Sequence, residues 1–175
     1  MSIKYAYLGP AGTFTEAALL KITASDDQLI AYANVTAALD AVRKGEANKA
    51  LVPIENSVEG VVARTLDELA SGEPLVITAE TTLPVTFSLM TLENKDPKDI
   101  KSIATHPHAE SQCRSFIAKN YPNAQVIETA STAAAAKGLS KGDYDAAIGA
   151  AIAAKNYQLK IIAEDIGDNT SAVTR

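Results

Sequence analysis

The sequence predicts an α/β protein with two lobes, because short β-like runs alternate with helical runs along most of its 175 residues. Such alternation is typical of parallel sheets that are covered by helices. One stretch, LVITAETTLPVTFSLMTL at 75–92, breaks the pattern, since it is long, rich in β-branched residues and without a helix signal. We interpret it as extended chain that crosses into a second lobe and continues there as a strand.

The elements expected before this crossing follow from apolar runs and helix end signals. KYAYLG has the composition of a strand, and TAALDAVRK has a helical apolar pattern that stops at Gly45, a common residue after a helix. The first lobe is therefore expected to contain strand 4–9, helix 14–22, helix 36–44, strand 49–54 and helix 58–70.

The elements after the crossing repeat the same alternation. Pro84 cannot donate to a strand ladder, so we expect it at an edge or a bend. ENKDPKD at 93–99 is expected to be a solvated loop. The second lobe is then expected to contain strand 101–106, helix 109–121, strand 125–130, helix 131–140, strand 145–150, helix 151–157 and strand 160–165.

Composition narrows the class of protein. Apolar residues make up 47% and charged residues 21%, and the net charge is −5. Such a surface has no general attraction for nucleic acid or anionic membranes, so an anionic ligand must be held by local geometry. Cys113 is the only cysteine, and the N-terminus lacks a signal-peptide core. We therefore expect a cytoplasmic protein with no membrane or nucleic-acid partner.

The strand-to-helix junctions carry the most polar side chains. Thr13 follows the first strand, Asn56 and Ser57 follow KALVPI, and Ser131 and Thr132 follow QVIETA. In a parallel sheet these junctions share one edge, where open α/β folds bind ligands, and helix N-termini there favour anions. Any one of these junctions alone is better explained as a helix cap, and the case for a ligand rests on their convergence. Three consecutive polar residues, Glu55 to Ser57, are more than one cap requires.

Other kinds of chemistry lack support in the sequence. GPAG does not match a dinucleotide-binding loop, and no phosphate-binding P-loop or nucleophile-elbow pattern occurs. His106 and His108 are spaced for different helix faces, and no metal-ligand pattern completes them. Cys113 lies on the apolar side of a helix, which favours a buried, inert thiol. The sequence therefore predicts chemistry without a metal, a cofactor or a covalent intermediate.

Five motifs in a fixed order then resemble the catalytic domain of prephenate dehydratase. They are GPAGTFT (9–15), VPIENSVEG (52–60), HPHAESQC (106–113), STAAAA (131–136) and NTSAVTR (169–175), and the resemblance runs from Tyr5 to Arg175. It implies two α/β lobes like those of type II periplasmic binding proteins, with a ligand cleft between them. We assign residues 1–77 and 166–175 to the first lobe and 78–165 to the second, with no ACT regulatory domain within the chain.

The resemblance also implies roles for particular residues. Thr174 and Arg175 match the family's Thr-Arg-Phe signature without its phenylalanine, Glu55 and Asn56 match its Glu-Asn pair, and Gln112 matches its glutamine; His108 stands where many relatives have glutamine. The expected catalytic residues are Thr174 and Glu55. The expected substrate-binding residues are Arg175, Asn56, Ser57, Gln112, Thr13, Ser131, Thr132 and Asn169.

The implied reaction is the decarboxylating dehydration of prephenate to phenylpyruvate, within phenylalanine biosynthesis. A hydroxyl group leaves in this reaction, so a proton donor is needed, and either Thr174 or a buried Glu55 could serve. Arogenate as the substrate, or a non-catalytic carboxylate-binding module, are the alternatives. The family implies no cofactor and a homo-oligomer, a dimer or a tetramer.

Overall fold

The computed structural model describes residues 2–175, which form a mixed α/β protein. The strands are β1 (Lys4–Leu8), β2 (Gln28–Tyr32), β3 (Lys49–Leu51), β4 (Glu55–Asn56), β5 (Gly60–Val61), β6 (Leu83–Pro84), β7 (Ser88–Thr91), β8 (Ser102–Thr105), β9 (Gln125–Glu128), β10 (Ala146–Gly149), β11 (Lys160–Ala163) and β12 (Val173–Thr174). The helices are α1 (Phe14–Leu19), α2 (Val35–Arg43), α3 (Ala63–Ser71), α4 (Pro107–Gln112), α5 (Arg114–Asn120), α6 (Thr132–Ser140) and α7 (Ala151–Tyr157), with a 3-10 turn at Pro97–Asp99.

The chain divides into two compact units. Unit 1 contains the described residues up to Pro10, then Phe14–Pro84 and Ala172–Arg175. Unit 2 contains Ala11–Thr13 and Val85–Ser171. None of the helices in residues 2–175 combines the length and the apolar character that a membrane crossing requires.

Unit 1 contains a three-stranded parallel sheet in the order β2-β1-β3. Side chains alternate across a strand, so β1 buries Tyr5 and Tyr7 with Leu19 on one face and Ala6 with α2 on the other. The Asn34 side chain caps α2 by accepting the Ala37 N–H at 2.8 Å. Helices therefore cover both faces of this sheet, as the alternation of β and α runs predicts.

A second sheet in unit 1 is built from two-residue strands in the order β5-β4-β12-β6. All of its pairs are antiparallel, with Thr174 opposite Asn56 on one side and opposite Leu83 on the other. The final strand, β12, therefore joins two segments that are far from it in the sequence.

Unit 2 contains a five-stranded mixed sheet in the order β11-β7-β10-β8-β9. Its β8, β9 and β10 strands are parallel, and β7 is antiparallel to both of its neighbours. The buried side chains of α6 and α7 pack on it around Met90, Leu139 and Ala147. At Gly149 a Cβ would lie 3.1 Å from the Cβ of Thr132, so this glycine allows α6 to approach β10 closely.

The structure differs from the predicted elements in several places. Strand β2 was not predicted, although QLIAY is a short apolar run of the kind that forms buried strands. The helix predicted over 58–70 begins only at Ala63, because Asn56 and Gly60 pair as strands, so Asn56 and Ser57 do not cap it. The helix predicted over 109–121 is interrupted at Cys113 between α4 and α5.

The boundaries between the units also differ from those expected. The chain leaves unit 1 after Pro84, because β6 pairs with β12. It returns at Ala172, because the N–H groups of Ile166 and Asp168 donate to the carbonyls of Phe87 and Gln112 in unit 2. Thr13 also belongs to unit 2, where the preceding Ala11 carbonyl accepts the Tyr157 hydroxyl at 2.8 Å.

Candidate active site

The end of the chain brings Thr174 and Arg175 to the Glu55–Asn56 strand. The Arg175 N–H donates to the Glu55 carbonyl at 2.8 Å, and the Arg175 carbonyl accepts from the Ile54 N–H at 2.8 Å. These bonds continue the ladder in which Thr174 pairs with Asn56. Four of the predicted site residues in unit 1 are therefore placed by one short antiparallel ladder.

The Asn56 amide is oriented by its own backbone neighbours. Its Oδ1 accepts the N–H groups of Val58 at 2.8 Å and Glu59 at 3.0 Å. Because backbone N–H groups only donate, this end of the amide must be the oxygen. The Nδ2 group is then directed to the Thr174 hydroxyl oxygen, 2.8 Å away and 118 residues distant in sequence.

The direction of this hydrogen bond determines whether the Thr174 hydroxyl can still donate its proton to another group. The amide donates and the hydroxyl oxygen accepts, so the hydroxyl proton of Thr174 is not consumed in this contact. A hydroxyl that accepts a hydrogen bond is also a somewhat better donor, because hydrogen bonds in a chain polarise one another. The arrangement can therefore present one O–H donor to a bound ligand.

Ser57 holds the last strand in place. Its hydroxyl oxygen accepts the Val173 N–H at 2.9 Å, and its own N–H donates to the Val173 carbonyl at 2.9 Å. The side chain thus substitutes for a backbone acceptor in the ladder. A direct contact of Ser57 with a substrate stays a prediction.

The Arg175 guanidinium lies near two carboxylates. It is 3.6 Å from Glu55 and 3.9 Å from Glu80, and its side chain is about half exposed at 49%. Exposed pairs at such distances contribute little, typically less than about 1 kcal/mol, so an anionic ligand can compete for this cation. Glu80 was not among the predicted site residues, since TAETT contains no motif and only the pairing of β6 with β12 brings it near Arg175.

Glu55 lies at the surface of unit 1. Its side chain is 51% exposed, and the Arg175 guanidinium lies beside it. The alternative in which Glu55 supplies the proton required burial among few charges. The half-exposed Glu55 side chain is not buried in unit 1, and the choice between Glu55 and Thr174 as the proton donor stays a prediction.

The remaining predicted residues lie in unit 2. Gln112 is the buried last residue of α4, and its backbone carbonyl accepts the Asp168 N–H at 2.6 Å. Ser131 is the N-cap of α6, with its hydroxyl accepting the Ala134 N–H at 3.0 Å, and Thr132 follows as the first residue of that helix. Asn169 is exposed, and its Oδ1 accepts the Ser171 N–H at 2.9 Å. The contacts of Ser131 and Asn169 are local, and substrate binding by these residues stays a prediction.

Cys113 is the inert thiol that the sequence predicted. It is fully buried, and burial together with the nearby charge of Asp168 raises its pKa to about 12. The thiol is therefore neutral at physiological pH and cannot act as a nucleophile. Within residues 2–175 no three His, Cys, Asp or Glu side chains are grouped as metal ligands would be.

Comparison with known proteins identifies relatives over almost the whole chain. The family model described as prephenate dehydratase matches residues 5–175. A prephenate dehydratase of Amycolatopsis methanolica is 48% identical over 172 residues, which are 98% of this chain and 56% of that protein. One from Mycobacterium ulcerans is 41% identical over 181 aligned residues, covering 98% of this chain and 58% of the relative. This chain thus spans little more than half the length of these curated relatives.

A solved structure shares the fold closely. The crystal structure of prephenate dehydratase from Arthrobacter aurescens, in complex with L-Phe, has a TM-score of 0.91 and 48% sequence identity. The similarity covers 98% of this chain and 57% of that one. The prephenate dehydratase of Staphylococcus aureus has a TM-score of 0.76 at 24% identity, over 98% of this chain and 64% of that one, which supports the fold alone.

Proposed function

We propose that this chain, which belongs to the prephenate dehydratase family, converts prephenate to phenylpyruvate, water and carbon dioxide. The observation that carries the proposal is the hydrogen bond from Asn56 Nδ2 to the Thr174 hydroxyl oxygen. It leaves one O–H donor in the segment that matches the family's motif. Relatives that are 41–48% identical over at least 97% of this chain carry the name of this activity.

This reaction depends more on a proton donor to the leaving oxygen than on a general base. As the carboxylate on the ring leaves as carbon dioxide, the electrons of its C–C bond form a ring double bond, and the C–O bond to the ring hydroxyl breaks. The departing oxygen gains negative charge and takes up one proton to become water. Aromatisation supplies the driving force, so the barrier lies in expelling a poor leaving group.

Thr174 is the proposed donor to that oxygen. Its hydroxyl is a weak acid, so it acts by a hydrogen bond whose strength grows as charge develops on the leaving oxygen. Because Asn56 donates to the same hydroxyl oxygen, the Thr174 proton is directed away from the amide and toward a ligand. Such a contact stabilises the transition state more than the ground state, which is the condition for catalysis.

Arg175 is the proposed binding residue for the pyruvyl carboxylate. A guanidinium pairs with a carboxylate through two parallel N–H donors, which sets the orientation of the ligand as well as its affinity. Tight pairing to the departing ring carboxylate would stabilise the ground state and oppose decarboxylation. Gln112, Ser131, Thr132, Thr13 and Asn169 are proposed as further neutral contacts to the substrate.

One assay separates the proposal from its alternatives. The purified chain is incubated with prephenate and, in parallel, with arogenate, and the formation of phenylpyruvate and of phenylalanine is followed. Phenylpyruvate from prephenate supports the proposal, and phenylalanine from arogenate identifies an arogenate dehydratase instead. Binding of prephenate without turnover would identify a carboxylate-binding module.

Location and assembly belong to the same proposal. A cytoplasmic site of action fits the single, reduced cysteine. Assembly as a dimer or a tetramer is tested by light scattering on the purified chain, and a monomer at micromolar concentration would contradict it.

A further inference from the structure

The helix that the sequence predicts over 109–121 is interrupted at a single residue of unit 2. α4 ends at Gln112 and α5 begins at Arg114, with Cys113 between them at φ −121° and ψ 13°. That φ lies outside the helical range of about −50° to −90°. Residues 109–121 contain no glycine or proline, which are the usual causes of a broken helix. The cause of this break therefore lies in another part of the fold.

The segment that follows β11 inserts its backbone at this break. We call residues 164–171 the return segment, because unit 1 resumes at Ala172. The Asp168 N–H donates to the Gln112 carbonyl at 2.6 Å. In an uninterrupted helix this carbonyl would accept the N–H of the residue four positions on, which is Phe116. The return segment thus supplies a hydrogen bond that would otherwise join α4 to α5.

The Asp168 side chain binds the other side of the break. Its Oδ2 accepts the Ser115 N–H at 3.2 Å. The first N–H groups of a helix have no partner within the helix, and Cys113, the N-cap residue of α5, makes no side-chain cap. A carboxylate is also favoured at the positive end of the helix dipole. Asp168 therefore caps α5 with its side chain while its backbone holds the end of α4.

The residues before Asp168 also hold the return segment against unit 2. The Ile166 N–H donates to the Phe87 carbonyl at 3.0 Å, and the Ile166 side chain is buried. A Cβ added at Gly167 would lie 3.4 Å from Cδ2 of Phe87 and 3.8 Å from the Gln112 carbonyl oxygen. These are ordinary packing distances, so the backbone passes in close contact with both residues. The position of Asp168 at the break is therefore fixed by its neighbours.

Gln112 is the residue whose position depends most directly on this break. It is the last residue of α4, next to Cys113, and its side chain is buried. Because the direction of a side chain follows from its backbone, closing the break into one helix would redirect the side chains on either side of it. Gln112 is also one of the neutral substrate contacts proposed above. Whatever holds the break therefore also holds this contact.

We propose that Asp168 is a positioning residue for the reaction, which holds α4 and α5 apart and so keeps the Gln112 side chain in place for the substrate. This inference rests on the proposed function, because the contact between Gln112 and the substrate is part of it. Asp168 acts through Gln112 and has no need to touch the substrate. A neutral contact made in both the ground state and the transition state contributes uniform binding, so the effect of Asp168 belongs in KM more than in kcat.

Two substitutions separate the acceptor of Asp168 from its charge. Asp168→Ala removes the acceptor of the Ser115 N–H, and we expect the KM for prephenate to rise about three- to tenfold with kcat within about twofold. Asp168→Asn removes the charge but keeps an oxygen acceptor, so it should recover most of this loss. Glu164→Ala removes an exposed carboxylate from the same segment and should match the parent. An Asp168→Asn variant as impaired as Asp168→Ala would contradict the capping role.

A double variant shows whether Asp168 acts through Gln112. In a chain that already carries Gln112→Ala, adding Asp168→Ala should raise KM by less than about twofold, because the contact that Asp168 positions is gone. Residues that act through one contact give such non-additive losses, whereas independent residues give additive ones. Additive losses in KM would therefore overturn the proposal.

Cys113, the only cysteine, reports on the break itself. It is fully buried, and burial followed by the charge of Asp168 raises its pKa to about 12, so a thiol reagent reacts with it only when the structure opens. Without substrate, Asp168→Ala should be labelled about tenfold faster than the parent. Asp168→Asn and Glu164→Ala should stay near the parent rate, because burial is the larger cause of the raised pKa. Equal labelling of Asp168→Ala and the parent would overturn the proposal.

Urea unfolding of the same proteins separates local opening from global unfolding. Labelling of Asp168→Ala that increases more than its loss of global stability explains reports opening at the break and supports the proposal. An increase that global stability fully explains counts against it.

Failure of the proposed function gives a different pattern. A parent chain that turns over no prephenate overturns the proposed function, whichever way the variants are labelled. A parent that turns over prephenate, with an Asp168→Ala variant that equals it in KM and in labelling, overturns the positioning role alone.

Discussion

At the scale of single residues, the direction of one hydrogen bond determines the chemistry available to Thr174. Two backbone N–H groups hold the Asn56 amide so that its nitrogen faces the hydroxyl. The same two side chains at the same distance, with the amide reversed, would draw the hydroxyl proton toward Asn56. The residues were predictable from their motifs, but the direction of the bond depends on the turn at Val58 and Glu59.

Replacing Thr174 tests the donor role. Thr174→Ala should lower kcat about 100- to 1000-fold with a small change in KM, because one transition-state hydrogen bond is lost. Thr174→Ser, which keeps the hydroxyl, should recover most of the activity. Asn56→Asp is a matched probe, since a carboxylate would accept the hydroxyl proton and divert it, so kcat should fall without loss of the strand. Steady-state kinetics with prephenate that show near-normal kcat for Thr174→Ala would remove Thr174 from the mechanism.

Replacing Arg175 tests carboxylate binding. Arg175→Lys keeps the charge but loses the planar pair of donors, so we expect a clear rise in KM, about tenfold, and a smaller change in kcat. Glu80→Gln is the control, because it removes a competing carboxylate 3.9 Å away and should leave KM equal or lower. A lysine variant with the kinetic constants of the parent would exclude a bidentate contact.

At the scale of elements, hydrogen bonds from a single polar side chain can fix where strands begin. In unit 2 the Asp145 carboxylate, just before β10, accepts the N–H groups of Lys101 and Ser102 at 2.9 and 3.0 Å and pairs with Lys95. The Lys95 ammonium, followed by these backbone donors and the Ser102 hydroxyl, lowers the pKa of Asp145 to about 2 against the opposing effect of burial. One side chain thus ties β10 to the start of β8.

This lowered pKa predicts a pH-dependent stability. The folded protein holds the Asp145 carboxylate ionised, so its contribution is present above about pH 4 and is lost as the pH falls toward 2. Asp145→Asn should lower the free energy of unfolding by about 2 kcal/mol at pH 7, and the difference should shrink as the pH falls. Exposed Asp143→Asn is the control and should change it by less than about 0.5 kcal/mol. Urea unfolding at pH 7 and pH 2.5 checks this, and a difference that does not depend on pH would contradict it.

At the scale of the whole molecule, segments that pack together in one unit are far apart in the sequence. Unit 1 is closed by Ala172–Arg175, which come after all of Val85–Ser171. Because β4, β6 and β12 are two residues long, each depends on the others for its hydrogen bonds. The last four residues therefore support the Glu55–Ser57 segment as well as supplying two site residues.

Removing the last strand tests this support. A chain ending at Ala172 loses the acceptors of the Ser57 and Ile54 amides, which are the Val173 and Arg175 carbonyls. Hydrogen exchange at these two amides should speed up by about tenfold or more, since the ladder bonds that protect them are gone. Arg175→Ser keeps the backbone and should leave both amides protected while weakening substrate binding. Unchanged exchange in the shortened chain would show that β4 is ordered without β12.

Much of the architecture was predictable because local patterns carry it. Apolar runs and end signals predicted most helices and nearly all longer strands, and the crossing near 75–92 was recognisable from its lack of helix signals. The helix expected over 58–70 was partly wrong, because pairing of Asn56 with Thr174 and Gly60 outweighs the helical pattern of the residues that follow. Strand β2 is the opposite case, a strand that was not predicted. Its five residues are defined chiefly by pairing with β1.

By itself, the amino-acid sequence determined the α/β class, the division into two units and the motifs that identify the site. These follow from composition, periodicity and residue types, which act over a few neighbouring positions. Only the tertiary structure decided that Glu80 lies near Arg175, that Ser57 holds the last strand, and that Asn56 donates to Thr174. Those facts depend on bonds between residues up to 118 positions apart, and such bonds form only where the packed fold holds both partners in place.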